Sequence, residues 1–382
     1  MSTSNRRVPR HFVMFAIAAI VAACTTSASP SGGSSATSTS GVPNPSASND
    51  QPGASPSTAG SPASSEDAFL ALPASEGVLN AISISNGTIV AGGFAGPVFT
   101  STILAFVGNS WSVAEVPDVP GQVSGIAKIG DRWIAVGNGL PDNRIGFIWE
   151  SVDGLAWQPQ QTIQDAALYD VSAGSGVIVA VGASLDAEMN ATAAAWSSTD
   201  GATWERATVT GSEGASMGPV ATTPTGFVAT GDRRLGATRP LWVSETATSW
   251  EVLENDLSDQ LLPTDILAWG DQYALVGASG KSGDQHPFVA LTSDGNAWQQ
   301  TNLSEVDEGY ASAAAVANER LVVAGVDADR LTLWSLRDGA WEAETFEPTG
   351  ASISALSWDA DLGLLGVGSR DGRQAVWLFG KD

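Results

Sequence analysis

Few side chains in this sequence are equipped for covalent or metal chemistry. It holds one cysteine, Cys24, two histidines, His11 and His286, and three tyrosines, Tyr169, Tyr273 and Tyr310. A lone cysteine excludes a disulfide framework, and two histidines nearly exclude the usual His/Cys zinc sites. Carboxylates are plentiful: 41 Asp and Glu stand against 17 Lys and Arg, a formal net charge of −24. So acidic a surface lacks the basic footprint a polyanion needs, which excludes nucleic acid as a partner. A carboxylate pair for glycoside hydrolysis stays open, because it needs only two acids at the right separation. No nucleotide, flavin or phosphate loop appears: the glycines close apolar runs rather than open helices. No cofactor and no metal are therefore expected.

The cations are not evenly spread. Arg144, Arg233, Arg234, Arg239, Lys281, Arg330, Arg370 and Arg373, with His286, fall in loops between the second and third apolar runs of a repeating unit. Of these, Arg144, Arg233, Arg234, Arg239, His286, Arg330 and Arg373 form a candidate ligand-binding rim, able to grip an anionic group by bidentate contacts. Acids are mixed among them, and Asp142 with Arg144 or Asp371 with Arg373 equally suits ordinary surface pairing. The connectors between units carry Glu76, Asp118, Asp165, Glu213, Glu254, Asp256, Asp259, Glu305, Asp307 and Glu308 without a Lys or Arg. Such acids could suit a hard divalent cation, but scattered acids in so acidic a chain are a weak signal.

Those loops are set by a repeat. Trp111, Trp157, Trp204, Trp250, Trp298 and Trp341 recur every 43 to 48 residues. A second marker, an apolar run ending in glycine, recurs seven times, at Gly93, Gly137, Gly182, Gly231, Gly277, Gly325 and Gly368. A period in this range means a solenoid or a propeller. Within Val123 to Gln160 the unit reads as four short strands with tight turns, which is one propeller blade. The second strand is apolar throughout, as in a sheet buried on both faces. The expected fold is all-β: a seven-bladed propeller of four-stranded antiparallel blades over residues 66–382. The seventh repeat lacks a fourth strand, and Phe69 to Pro73 stand where one would be. They are predicted to pair beside residues 374–379 and close the ring, removing exposed edges.

The turns between third and fourth strands read Ser151-Val-Asp153-Gly154-Leu-Ala-Trp157, Ser198-Thr-Asp200-Gly201-Ala-Thr-Trp204 and Thr292-Ser-Asp294-Gly295-Asn-Ala-Trp298. This pattern resembles the Asp-box (BNR) repeat of the sialidase-like propellers. The resemblance implies structural roles for Asp153, Trp157, Asp200, Trp204, Asp294 and Trp298: a turn-bracing acid and an apolar plug. Repeat 4 has Thr246 and Ala247 in place of Asp and Gly. The resemblance does not fix a function. A sialidase would also need an Arg-Ile-Pro start, absent here, and converging arginines, whereas these lie on loops.

The N-terminus carries Arg6, Arg7 and Arg10, a 12-residue apolar run from Phe12 to Ala23, and Val21-Ala22-Ala23-Cys24. The run is short of the ~20 residues that span a bilayer. Residues 1–23 read as a secretory signal, and the end resembles a bacterial lipobox with Cys24 as lipid attachment site. Residues 24–65 are nearly all Ser, Thr, Ala, Pro, Gly and Asn, the composition of a disordered tether. The expectation is a monomeric lipoprotein on the outer face of the cytoplasmic membrane, or on the periplasmic or outer-membrane side of a double envelope. Its propeller would act as a non-catalytic binding or scaffolding module for a glycan, an anionic small molecule or a protein. A sialidase-like glycoside hydrolase and an assembly factor for a membrane complex are the alternatives.

Overall fold

The computed structural model describes residues 72–381, apart from 74, 141–143, 234–238, 282–283, 305–307 and 347–348. Each apolar run becomes a strand, and each repeat becomes a small antiparallel sheet. The inner strands of blades 1 to 7 are Gly77–Ser85, Gly121–Ile129, Ala166–Gly174, Ala215–Thr223, Leu261–Trp269, Tyr310–Ala317 and Ala351–Asp359. Each packs against the inner strand of the next blade, and that of blade 7 packs against that of blade 1. The ring is therefore closed. The fold is a seven-bladed β-propeller, all-β among the described residues. Its cores lie between neighbouring sheets, where Trp149, Trp196, Trp242 and Trp334 are fully enclosed and unavailable as a sugar platform.

The marker glycines have a common cause. Every inner strand is bulged, at Asn80, Ser124, Tyr169, Gly218-Pro219, Thr264, Ser312 and Ser354. A bulge locally bends its strand and breaks the ladder. Here it presses an inner-strand carbonyl against the second strand. A Cβ at any of the seven marker positions would lie 1.9–2.1 Å from a carbonyl oxygen, for example Gly182 against Ala167. Only glycine permits that approach.

The bulges also stitch blades together. Asn80 Nδ2 donates to the Val123 carbonyl (3.1 Å), Thr264 Oγ1 to that of Ala311 (2.9 Å), and Ser312 Oγ to that of Ile353 (2.5 Å). At the junction of blades 7 and 1, Gly77 N–H donates to Gly372 O (2.9 Å) and Gln374 N–H to Ser75 O (3.1 Å). Leu72 packs on the cluster containing Val367 and Val376. The predicted closing strand itself, Phe69 to Pro73, lies largely outside the described residues. Blade 4 departs from four strands: Thr208–Val209, leaving blade 3, pairs parallel to the outer strand Ser249–Leu253 and makes a fifth.

Candidate functional site

The loops between second and third strands share one face of the ring with the connectors between blades. On this loop face the cations are held. Arg144, on blade 2, bonds the carboxylate of Asp165 in the next connector. Its guanidinium also reaches Asp186 O (3.2 Å) and Met189 Sδ (3.1 Å) on blade 3. Arg239, on blade 4, pairs with Asp232 and donates to Leu261 O (2.5 Å), which opens the inner strand of blade 5, and to Asp259 O (3.4 Å) in the connector before it. His286 Nε2 lies 3.5 Å from Asp284 on blade 5. Arg330 opens the third strand of blade 6 and Arg373 that of blade 7, where Glu76 pairs beside it. These five rim residues thus stand on five different blades. Arg234 and the Arg233 side chain lie outside the described residues, as do Asp142, Glu305, Asp307 and Cys24.

Asp186 shapes the loop of blade 3. It accepts from Asn190 Nδ2, Asn190 N–H and Glu188 N–H at 2.8–3.0 Å. Those bonds, Asn190's first, hold its carboxyl below the usual range.

The opposite face carries the Asp-box turns, and three of them are built alike. Asp153 Oδ1 accepts from Leu155 and Ala156 N–H (2.8 and 2.9 Å), and Ser151 Oγ accepts from Gly154 N–H (2.9 Å). Asp200 with Ser198 and Asp294 with Thr292 repeat the arrangement. These bonds pull all three carboxyls below their ordinary pKa. Trp157, Trp204 and Trp298 each donate Nε1–H to the carbonyl of the turn glycine at 2.9–3.1 Å. Repeat 4 keeps the turn without the motif. Ala247 takes the glycine's left-handed backbone (φ 68°), bonds Ser244 Oγ, and accepts from Trp250 Nε1 (3.2 Å). In blades 1 and 6, two-residue hairpins, Gly108-Asn109 and Asp338-Gly339, replace the turn.

A pair of acids that no motif marks lies in the channel wall. Asp170 and Asp265 each follow the bulge of an inner strand, in blades 3 and 5. Asp170 accepts from Val171 N–H (2.7 Å) and, across the blade junction, from Val220 N–H (2.9 Å). Asp265 accepts from Ile266 N–H (2.8 Å) and from Ala314 N–H of blade 6 (2.8 Å). Burial pushes Asp170 up to about 7, and the charge of Asp265 adds to the rise. Burial pushes Asp265 up to about 6. Tyr169 and Tyr310 sit in the same wall, and burial raises both phenols, Tyr169 to about 12. The pair had a sequence signal: both acids interrupt an apolar run twelve residues before a marker glycine, Gly182 or Gly277. Directly after the bulge the other five repeats place Ala81, Gly125, Val220, Ala313 and Ala355, so no pattern emerges.

No protein-family model matches the sequence, and no curated protein matches it. Solved structures do. A chain of Kuenenia stuttgartiensis hydrazine synthase superposes with a TM-score of 0.59 at 14% identity, covering 80% of this chain and 96% of that one. The Dos1 propeller superposes at 0.51 and 12% identity, covering 79% and 78%. At such identities the shared property is the fold.

Proposed function

We propose that this chain is an exported lipoprotein, anchored through a lipid on Cys24 and a tether of residues 24–65. Its propeller, residues 66–382, is a non-catalytic binding or scaffolding module that works through the loop face. The observation supporting that face is its bracing. Arg144 and Arg239 each tie one blade's loop to the next blade's connector. Loops held in this way lose little conformational freedom on binding, so more of the contact energy appears as affinity. The same bracing occupies Arg144 and Arg239, so their part in the rim is to hold the surface that meets the partner.

Anchoring is tested by fractionating cells that express wild type or Cys24→Ser. The wild type is expected in membranes and labelled by a fatty-acid analogue, and the variant in neither state. Equal membrane recovery of both sinks the anchor.

One observation favours a glycosidase as the second reading. Asp170 and Asp265 have pKa values shifted in the direction a general acid requires. Against it, each already accepts two backbone amides. Turnover of any fluorogenic glycoside that Asp170→Asn abolishes would replace the binding reading.

A further inference from the structure

Of the nine large apolar side chains exposed among the described residues, four lie on one arc of the loop face. Val98 is 74% exposed, Phe99 45%, Met189 41% and Ile145 37%. They belong to blades 1, 3 and 2, which are consecutive around the ring. The backbone joins them into one strip. Gly121 N–H donates to Phe99 O (2.7 Å), Leu140 N–H to Pro120 O (3.1 Å), and Arg144, next to Ile145, touches Met189. Pro120 is exposed and Leu140 half-buried between the larger groups. Two of the side chains are presented at a conformational cost: Phe99 has φ 52° and Met189 φ 66°, where bulky residues are rarely found. The far side of the same face is different. Its loops on blades 6 and 7 are short charged turns, Asp327-Ala328-Asp329-Arg330 and Arg370-Asp371-Gly372-Arg373. Among the described residues of blades 5 to 7, Leu262 is the one large apolar side chain exposed to a similar degree.

We infer that the strip Val98, Phe99, Pro120, Leu140, Ile145 and Met189 docks a basic segment of another protein that carries apolar side chains between Lys or Arg residues. The inference rests on the loop face being the binding face and names the partner it takes. Charge selects the occupant. Asp118, Asp165, Asp186 and Glu188 fringe the strip, and its cation, Arg144, is already matched by Asp165. Hydrogen bonds to Asn190 and Glu188 keep Asp186 ionised. A second copy docked by a twofold axis would set acid against acid. An anionic lipid surface would be repelled in the same way. A basic, apolar peptide meets both the exposed surface and its fringe, with steering by the chain's net charge of −24.

The test selects a displayed random-peptide library on the purified full-length protein. Enriched peptides are expected to alternate Lys or Arg with Leu, Phe or Trp. Binding should weaken at least tenfold in Val98→Ser/Phe99→Ser. It should weaken several-fold, with a flatter salt dependence, in Asp118→Asn/Glu188→Gln. It should be unchanged in Leu262→Ser, on the far side of the same face. Loss in that last variant alone overturns the strip and leaves the loop face standing; indifference to all three overturns both. A dimer in gel filtration that Val98→Ser/Phe99→Ser dissolves would assign the strip to self-association. Sedimentation with vesicles of neutral and anionic lipid, abolished by the same change, would assign it to a membrane. Either result overturns the basic-peptide partner.

Discussion

Asp170 and Asp265 face the interior of the ring with every carboxylate oxygen bonded to a backbone amide, two of those amides belonging to the next blade. Such bonds favour the ionised acid, yet loss of solvent outweighs them and both pKa values rise. The consequence for stability follows from linkage. A carboxyl whose folded pKa exceeds its unfolded value contributes fully below pH ~4, where both states are protonated. That contribution is lost as pH climbs through about 6 for Asp265 and about 7 for Asp170. Thermal melts between pH 5 and 8 should therefore fall more steeply for wild type than for Asp170→Asn or Asp265→Asn. The comparison is of slopes, because each Asn also forfeits one accepted bond. Parallel curves would mean that these acids titrate as exposed ones do.

A blade is specified by an apolar run, a tight turn and a glycine, and those features were visible in the one-dimensional pattern. The strands fall where the runs ending at Gly137 and Gly182 put them. The reason for the glycine was not visible, since a bulge arises only when two strands pair. Replacing Gly182 by Ala should cost at least about 2 kcal/mol, because its Cβ would meet the Ala167 carbonyl at 1.9 Å. Unfolding in denaturant measures this, and a variant as stable as wild type would show that the bulge can relax. Other features were hidden for related reasons. The fifth strand of blade 4 forms because Thr208–Val209 happens to run alongside its neighbour's edge. Ala247 holds a left-handed turn that its sequence disfavours, its methyl enclosed between blades 3 and 4. The exposed strip could not be read either. Val98, Ile145 and Met189 are ordinary apolar residues until the ring places three separate loops side by side.

The ring as a whole depends on one junction between distant parts of the chain. Gln374, 1% exposed, is its centre. Its backbone donates to Ser75 O, its Nε2 to Phe94 O (2.9 Å), and its Oε1 receives Ser75 Oγ (3.4 Å). Gln374→Leu would leave the Phe94 carbonyl without its donor in a buried place, a loss of about 1–3 kcal/mol. Proteolysis should then cut first near Ser75. Cleavage elsewhere, at unchanged stability, would show that the junction is held by other contacts. The junction also has a place in time. Ser75 and Gln374 are 299 positions apart, so a chain emerging from the ribosome presents one half of the clasp long before the other. Until then six blades can stack only as an arc with two bare ends, and a chaperone would meet that arc rather than the finished ring.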